Sequence, residues 1–308
     1  MEPVRSAPVR AVALAPDCCS LCGGERLSLR FPARGGAPAD ARAYACTSFD
    51  HRAHGPIWEC ASCGLLFQWP IPPEQVLVTS YAAVEDPLYL AEKENRYLTF
   101  RQAVRLLGPP LGRRLLDVGA YCGIFTDVAR ESGFRSEALE LSRWAAGHAR
   151  SLGLVVHEET LTRRAESGDR YHVVTMWDVV EHLADPRRDL AAAYRLLEPG
   201  GRLHLSTIDA SSLVARLLGA SWPWLMHMHL FYFDRRNLGA LLEEVGFRVI
   251  SARSYVHTVS AGYLLRKLAA SFPAAAPVFR ALARVVPARV AVPVSLGDNM
   301  AITAEKPR

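Results

Sequence analysis

Four cysteines stand in two matched pairs, Cys19-Ser20-Leu21-Cys22-Gly23 and Cys60-Ala61-Ser62-Cys63-Gly64. Two residues between thiolates let a tight turn present both sulfurs to one ion. The glycine after the second cysteine admits the left-handed backbone that aims N–H groups at sulfur. Two such knuckles give four thiolates, the donor set of a closed tetrahedral zinc site with no position open for catalysis. A structural Zn held by Cys19, Cys22, Cys60 and Cys63 is therefore expected, with free thiols in a chance arrangement as the alternative. Cys18 competes with Cys19, but Cys19 makes the symmetric pair. The interval 23–59 is expected to contain a loop or hairpin carrying Cys46 and His51.

A second set of residues has proton chemistry. Asp178, Glu181 and His182 are spaced i, i+3, i+4, so on a helical turn they share a face. His182 is the first candidate for a general base, His229 the second, and Glu181 stands beside them. The non-catalytic alternatives are a histidine hydrogen-bonded at a strand end and a Met226–His229 run packed beneath the following helix. Asp178, Glu181, His182 and His229 together have another use, as ligands of a divalent ion. Mixed nitrogen and oxygen donors suit manganese or zinc better than magnesium.

A third stretch reads as a nucleoside site. Leu115-Leu116-Asp117-Val118 runs as a short apolar strand into Gly119-Ala120-Tyr121-Cys122-Gly123, and an amphipathic helix follows with Ile124, Phe125, Val128 and Ala129 on its buried side. The glycines permit a sharp turn and close approach to a ligand. A second strand through Leu139 ends in Glu140, about 20 residues on, where an acid can accept both hydroxyls of a ribose. An acid that merely caps the helix beginning near Ser142 is the alternative. The loop lacks the third glycine of G-x-G-x-x-G and lacks G-K-[ST], which favours a nucleoside without phosphates over a dinucleotide or nucleoside triphosphate.

The elements that must position these groups follow from composition and punctuation. The 308 residues are 50% apolar and 22% charged, as in a globular chain. Glycine and proline are scattered without a period, excluding collagen-like and solenoid folds. No apolar run approaches the roughly 18 residues that span a bilayer. The net charge of +5 is too small and dispersed to indicate nucleic acid. Ala11–Ala15 is too short for a signal-peptide core, so a cytoplasmic, reducing compartment is expected, where cysteines serve as metal ligands or free thiols. Pro70-Ile71-Pro72-Pro73 places a linker there, giving a zinc-binding domain over 1–73 and a second domain over 74–308. Residues 74–107 read as largely helical, broken near Pro87. Their Tyr81, Tyr89, Tyr97 and Phe100 either pack or supply one tyrosine over the site. In 257–297, leucines and valines interleave with Arg266, Lys267, Arg280, Arg284 and Arg289 between prolines. That segment reads as a lid, a homodimer surface, or a peripheral membrane contact.

Leu116–Phe125 resembles the first motif of class I S-adenosylmethionine-dependent methyltransferases, and Leu139-Glu140 resembles their ribose-binding acid. His172–Pro186 is similar to the fourth strand and its exit, and Leu197-Glu198-Pro199-Gly200-Gly201 to the turn into the fifth strand. The resemblance covers roughly residues 95–308. It implies an α/β, Rossmann-like seven-stranded sheet with helices on both faces, preceded by a small zinc-ribbon-like domain. It implies S-adenosylmethionine as cofactor, with contacts from Asp117, Gly119, Ala120, Tyr121, Gly123, Glu140, Leu141 and Asp178. Tyr121 stands where the family motif has its middle glycine, next to the methionine portion of the cofactor.

The zinc-binding preface is similar to that of a bacterial subgroup that includes deoxysugar C-methyltransferases. The implied acceptor is a small molecule, either a nucleotide- or lipid-linked sugar or a natural-product intermediate. The divalent-ion alternative resembles ubiquinone-type and small-RNA 2′-O-methyltransferases, which use E-x-x-E-H and a later histidine; here the first acid is Asp178. Methyl transfer from a sulfonium is an in-line displacement, so the protein must align the reactants and remove the acceptor's proton. An RNA methyltransferase is the second reading, although no basic groove or aromatic platform shows in the sequence. A non-catalytic binding module on the same fold is the third.

Overall fold

The computed structural model describes residues 15–36, 38, 40–49 and 53–308. Residues 11–14 of the apolar lead-in, and His51, lie outside them.

The N-terminal part builds three antiparallel strands, β1 (Leu27–Phe31), β2 (Ile57–Cys60) and β3 (Leu66–Gln68). The second cysteine pair occupies the turn between β2 and β3. This sheet is completed from far along the chain. β9 (Phe231–Tyr232) pairs antiparallel with β3, Leu66 opposite Tyr232 and Phe67 opposite Phe231. Phe67, Phe231, Tyr232 and Phe233 are fully or almost fully buried, so the seam between the two parts is core.

The second sheet has seven strands in the order β10-β13-β8-β7-β4-β5-β6. They are β4 (Arg114–Val118), β5 (Arg135–Leu139), β6 (Val155–His157), β7 (Tyr171–Trp177), β8 (Leu197–Ile208), β10 (Arg248–Ser254) and β13 (Asn299–Glu305). β4, β5, β6, β7 and β8 run parallel, and β13 is antiparallel to both β8 and β10. The central strands are apolar on both faces because helices cover both faces. Val173, Val174 and Met176 of β7, like Leu115 and Leu116 of β4, are completely buried. The strand order reverses beside β4, where β5 lies on one side and β7 on the other. Open α/β sheets bind ligands at such a switch point, beyond the carboxyl ends of the strands.

The helices are α1 (Glu74–Ala82), α2 (Pro87–Ala91), α3 (Lys93–Ala103), α4 (Ile124–Glu131), α5 (Arg143–Ser151), α6 (Leu161–Arg164), α7 (Pro186–Leu196), α8 (Leu213–Leu218), α9 (Arg235–Val245), α10 (Ala261–Ser271) and α11 (Ala276–Val285). Their starts are written locally. Ser142 caps α5 by accepting the Ala145 N–H at 3.0 Å. Asp185 caps α7 ahead of Pro186, and Asp234 and Asn237 form a reciprocal capping box on α9. The amphipathic reading of α4 holds, with Ile124, Phe125, Val128 and Ala129 buried.

The insertion is a framed unit. β11 (His257–Ser260) and β12 (Ala291–Val294) pair antiparallel, and α10 and α11 project between them. Its base is tied to the helices before the main sheet. Glu92 accepts the Ser260 hydroxyl at 2.7 Å, the Ser260 N–H at 3.0 Å and the Asn95 amide at 3.1 Å, and the Thr99 hydroxyl accepts the Thr258 N–H at 2.7 Å. All four side chains are buried. Glu92→Leu strands these donors, an expected loss of about 2–4 kcal/mol. Hydrogen exchange should speed up over 257–294 and not in β4 or β7; uniform protection in the variant would contradict this anchoring role.

Candidate active site and metal centre

The four knuckle sulfurs converge. Cys19 and Cys63 Sγ lie 3.7 Å apart, Cys22 and Cys60 Sγ 3.6 Å apart, and all four within 4.8 Å of one another. A tetrahedron with Zn–S near 2.3 Å spaces its sulfurs about 3.8 Å apart, whereas a disulfide requires about 2.05 Å. Gly23 (φ 70°) and Gly64 (φ 76°) take the left-handed turn, and the Leu21 N–H points at Cys19 Sγ at 3.4 Å. The Cys63 sulfur beside it, opposed by burial, pulls the Cys19 thiol down to about 5. Cys18 and Cys46 stay outside the cluster; Cys46 faces the cavity described next.

A cavity of about 450 Å³ opens over the carboxyl ends of β4, β5 and β7, within the range of small-molecule sites. Asp117, Gly119, Ala120, Tyr121, Glu140, Leu141 and Asp178 all line it. Glu140 is buried, and its two oxygens hold the loop: Oε2 accepts the Tyr121 N–H and Oε1 the Ser142 N–H, each at 2.7 Å. Burial raises its carboxyl above the ordinary range, against the pull of those N–H groups. Ser142, not Glu140, supplies the helix cap. Asp117 is also buried. It accepts the Thr126 hydroxyl at 2.7 Å and the Thr175 hydroxyl at 2.8 Å, and burial pushes it up to about 7.

The two loop glycines have separate reasons. At Gly119 (φ 67°) a Cβ would meet Val179 at 2.6 Å, and at Gly123 (φ 75°) it would meet Ala149 and Leu154 at 2.7 Å. Gly123 does not line the cavity, so its bareness serves the packing of α5 under the loop. Tyr121 itself adopts φ 50° in the position of the motif's middle glycine. Its hydroxyl donates to Asp86 at 3.0 Å, and its ring lies edge-on to Tyr89.

The same cavity reaches Glu181, His182 and His229, whose ligand-capable atoms all lie within 4.8 Å of one another. His182 Nδ1 donates to the Met228 carbonyl at 2.8 Å, and His229 Nδ1 to the Trp224 carbonyl at 2.7 Å. A carbonyl only accepts, so each ring carries its proton on Nδ1 when neutral. Glu181 is 1% exposed, and its Oε2 is buried without a hydrogen-bond partner. Burial, reinforced by Asp178, raises its carboxyl well above the ordinary range, and burial lowers His182.

Asp178 departs from the shared-face expectation. It ends β7 at φ 55° before a single 3₁₀ turn, Val180–His182, so no helical turn joins it to Glu181 and His182. It turns instead to Ser206, which donates to it at 2.6 Å, and to His257 at 3.7 Å.

Several residues around the site carried no sequence motif. Gln68 of β3 is buried and clamps the histidine loop: its Nε2 donates to the Met226 carbonyl at 2.8 Å and the His229 carbonyl at 2.5 Å, while its Oε1 accepts the Gly55 N–H at 2.7 Å. Tyr81 stands edge-on to His182, and Tyr89 carries Arg96 over its face at 4.7 Å. A glutamine inside the apolar run Leu65-Leu66-Phe67-Gln68-Trp69 was the available signal for the first of these.

The family described as "Methyltransferase domain" matches residues 91–252. Curated relatives include the ubiquinone biosynthesis O-methyltransferase of Aeromonas salmonicida, 28% identical over 46% of this chain and 66% of that protein. The protein of that name in Cereibacter sphaeroides is 33% identical over 38% of this chain and 52% of its own. The chain thus spans about half to two thirds of these relatives. Among solved structures, the Haloferax volcanii complex of the Trm112 methyltransferase activator with a methyltransferase matches at TM-score 0.52 and 17% identity, over 73% of this chain and 100% of that one, a likeness of fold. No described helix is long and apolar enough to cross a membrane. With that family matched over more than half its length, and the cavity seated at the switch point of a seven-stranded sheet, the chain belongs to the S-adenosylmethionine-dependent methyltransferases.

Proposed function

We propose that this methyltransferase acts on a hydroxyl of a small acceptor with a largely apolar body, with His182 as general base and His229 as its neighbour and alternate. The observation that carries this reading is the single cavity lined both by the Gly119–Tyr121 loop with Glu140 and by the Glu181, His182 and His229 cluster. The cavity's lining includes the apolar side chains of Val214, Leu218, Met226, Met228 and Leu264. That supports a natural-product-type intermediate over a bare sugar, and an enclosed small-molecule site over an RNA groove. The relatives named O-methyltransferases support oxygen as the nucleophile.

Bound S-adenosylmethionine supplies an already activated methyl group. The residues hold and deprotonate. Glu140, buried at the end of β5, is placed to take ribose hydroxyls, and Asp117 and Tyr121 shape the methionine end. His182 Nε2 removes the acceptor's proton as the new bond to carbon forms, its Nδ1 fixed on the Met228 carbonyl so that tautomer and ring angle are set. Insulation by the apolar wall keeps water from competing. The four knuckle cysteines fit a structural zinc, which would fix the β2–β3 turn.

A second reading rests on the orphaned Glu181 oxygen beside two carbonyl-oriented histidines, the pattern by which imidazoles are presented to metals. Glu181, His182 and His229 would hold a manganese or zinc ion there, and that ion would lower the acceptor hydroxyl's pKa. In the insertion, α10 lines the cavity, which supports the lid role of 257–297. α11 exposes Val278, Leu282 and Val285 between arginines, a composition that supports contact with anionic lipid.

His182→Ala and His229→Ala should each lower kcat by about 10²–10⁴-fold with adenosylhomocysteine affinity retained; turnover at the wild-type rate in both would remove the base. Elemental analysis should find about one tightly held zinc per chain. If brief EDTA treatment that spares this zinc also spares turnover, the base reading stands; loss reversed by manganese would install the second reading.

A further inference from the structure

Lys267 stands on the cavity wall, attracted through space by Asp86 but in contact with no carboxylate among the described residues. The face of α10 that lines the cavity carries Leu264, Lys267, Leu268 and Ser271, a helical stripe in which Lys267 is the lone charge. Its ammonium donates to the Ser48 carbonyl at 2.9 Å and sits among three rings, 5.5 Å from the Phe49 centroid, 5.7 Å from Tyr263 and 5.9 Å from Trp224. Among the described residues it forms no ion pair. Burial pulls the ammonium down to about 8, the penalty of holding a charge in such a wall.

Its place in the cavity sorts the ligand it would meet. Trp224 contacts Lys267 on one side and His229 on the other, with ring centroids 6.2 Å apart, and His229 neighbours His182 at 4.9 Å. Lys267 is therefore one indole ring away from the histidine cluster. Arg96, also on the cavity wall, lies over Tyr89, which packs against Tyr121 of the cofactor loop, and its charge reaches Lys267 as well. An anion reaching Lys267 would come from the acceptor.

We propose that Lys267 is an acceptor-binding residue that pairs with an anionic group, a carboxylate or a phosphate ester, on the methyl acceptor, while Trp224 supports the body that spans from that group to the histidines. This rests on the methyl-transfer reading of the same cavity and adds the charge class of its substrate. Aromatic rings around the ammonium hold it in place without neutralising it, and a lysine accepts either anion because it acts as a point charge.

The test is isothermal titration of the full chain loaded with adenosylhomocysteine. Two pairs of probes are used, 3,4-dihydroxybenzoate against its methyl ester, and phenyl phosphate against phenol. In the wild type at least one anion should bind about tenfold or more tightly than its neutral partner; the first pair reports a carboxylate, the second a phosphate. Lys267→Met should erase that preference with adenosylhomocysteine affinity unchanged, and Lys267→Arg should keep it. A wild type that binds neither anion in preference, or a Lys267→Met protein that keeps the preference, overturns the proposal. Failure of the base reading would look different. His182→Ala and His229→Ala would then turn over normally while the anion preference persisted.

Discussion

The histidine cluster depends on a hydrogen-bonded seam between the N-terminal sheet and the methyltransferase domain. β3 pairs with β9, and Gln68 at the end of β3 saturates carbonyls of Met226 and His229 with one amide group. These are buried backbone acceptors, which need partners wherever water is excluded. The His229 ring is in turn anchored on Trp224, and the His182 ring on Met228. Both imidazoles thus hang from a loop whose conformation is set by a residue more than a hundred positions away. The second cysteine pair lies at the end of β2 and in the turn that leads into β3.

The glycine-loop half of the cavity is supported differently. Its polar groups lie at the exits of adjacent parallel strands, Asp117 and Gly119 after β4, Glu140 after β5 and Asp178 after β7. Positive φ at Gly119, Tyr121, Gly123 and Asp178 lets the chain leave each strand abruptly. Buried carboxylates with raised pKa values, Asp117, Glu140 and Glu181, line up along one cleft. Such clustering marks a functional site more often than a structural one.

Much of this was legible in the residues. The matched cysteine pairs, the apolar strand into a glycine turn and the acid after the second strand depend on local spacing, and each appears where expected. The shared face for Asp178, Glu181 and His182 did not survive, because a positive-φ residue at the strand exit broke the turn before a helix could form. The small sheet was read as separate from the larger domain, since a two-residue strand such as Phe231–Tyr232 has no periodicity to detect. Gln68 and Trp224 make contacts that only folding brings about. Their trace in sequence is a single polar or aromatic residue in an otherwise unremarked run.

The claim that the N-terminal sheet sets the reacting histidines is tested most directly by Gln68→Leu, assayed for adenosylhomocysteine affinity and for single-turnover methyl transfer on one sample. Release of the Met226–His229 loop should lower transfer by about 10²-fold, the effect of roughly 1 Å of misplacement, with affinity for adenosylhomocysteine held within about twofold of wild type. Transfer at the wild-type rate in the folded variant would contradict the claim.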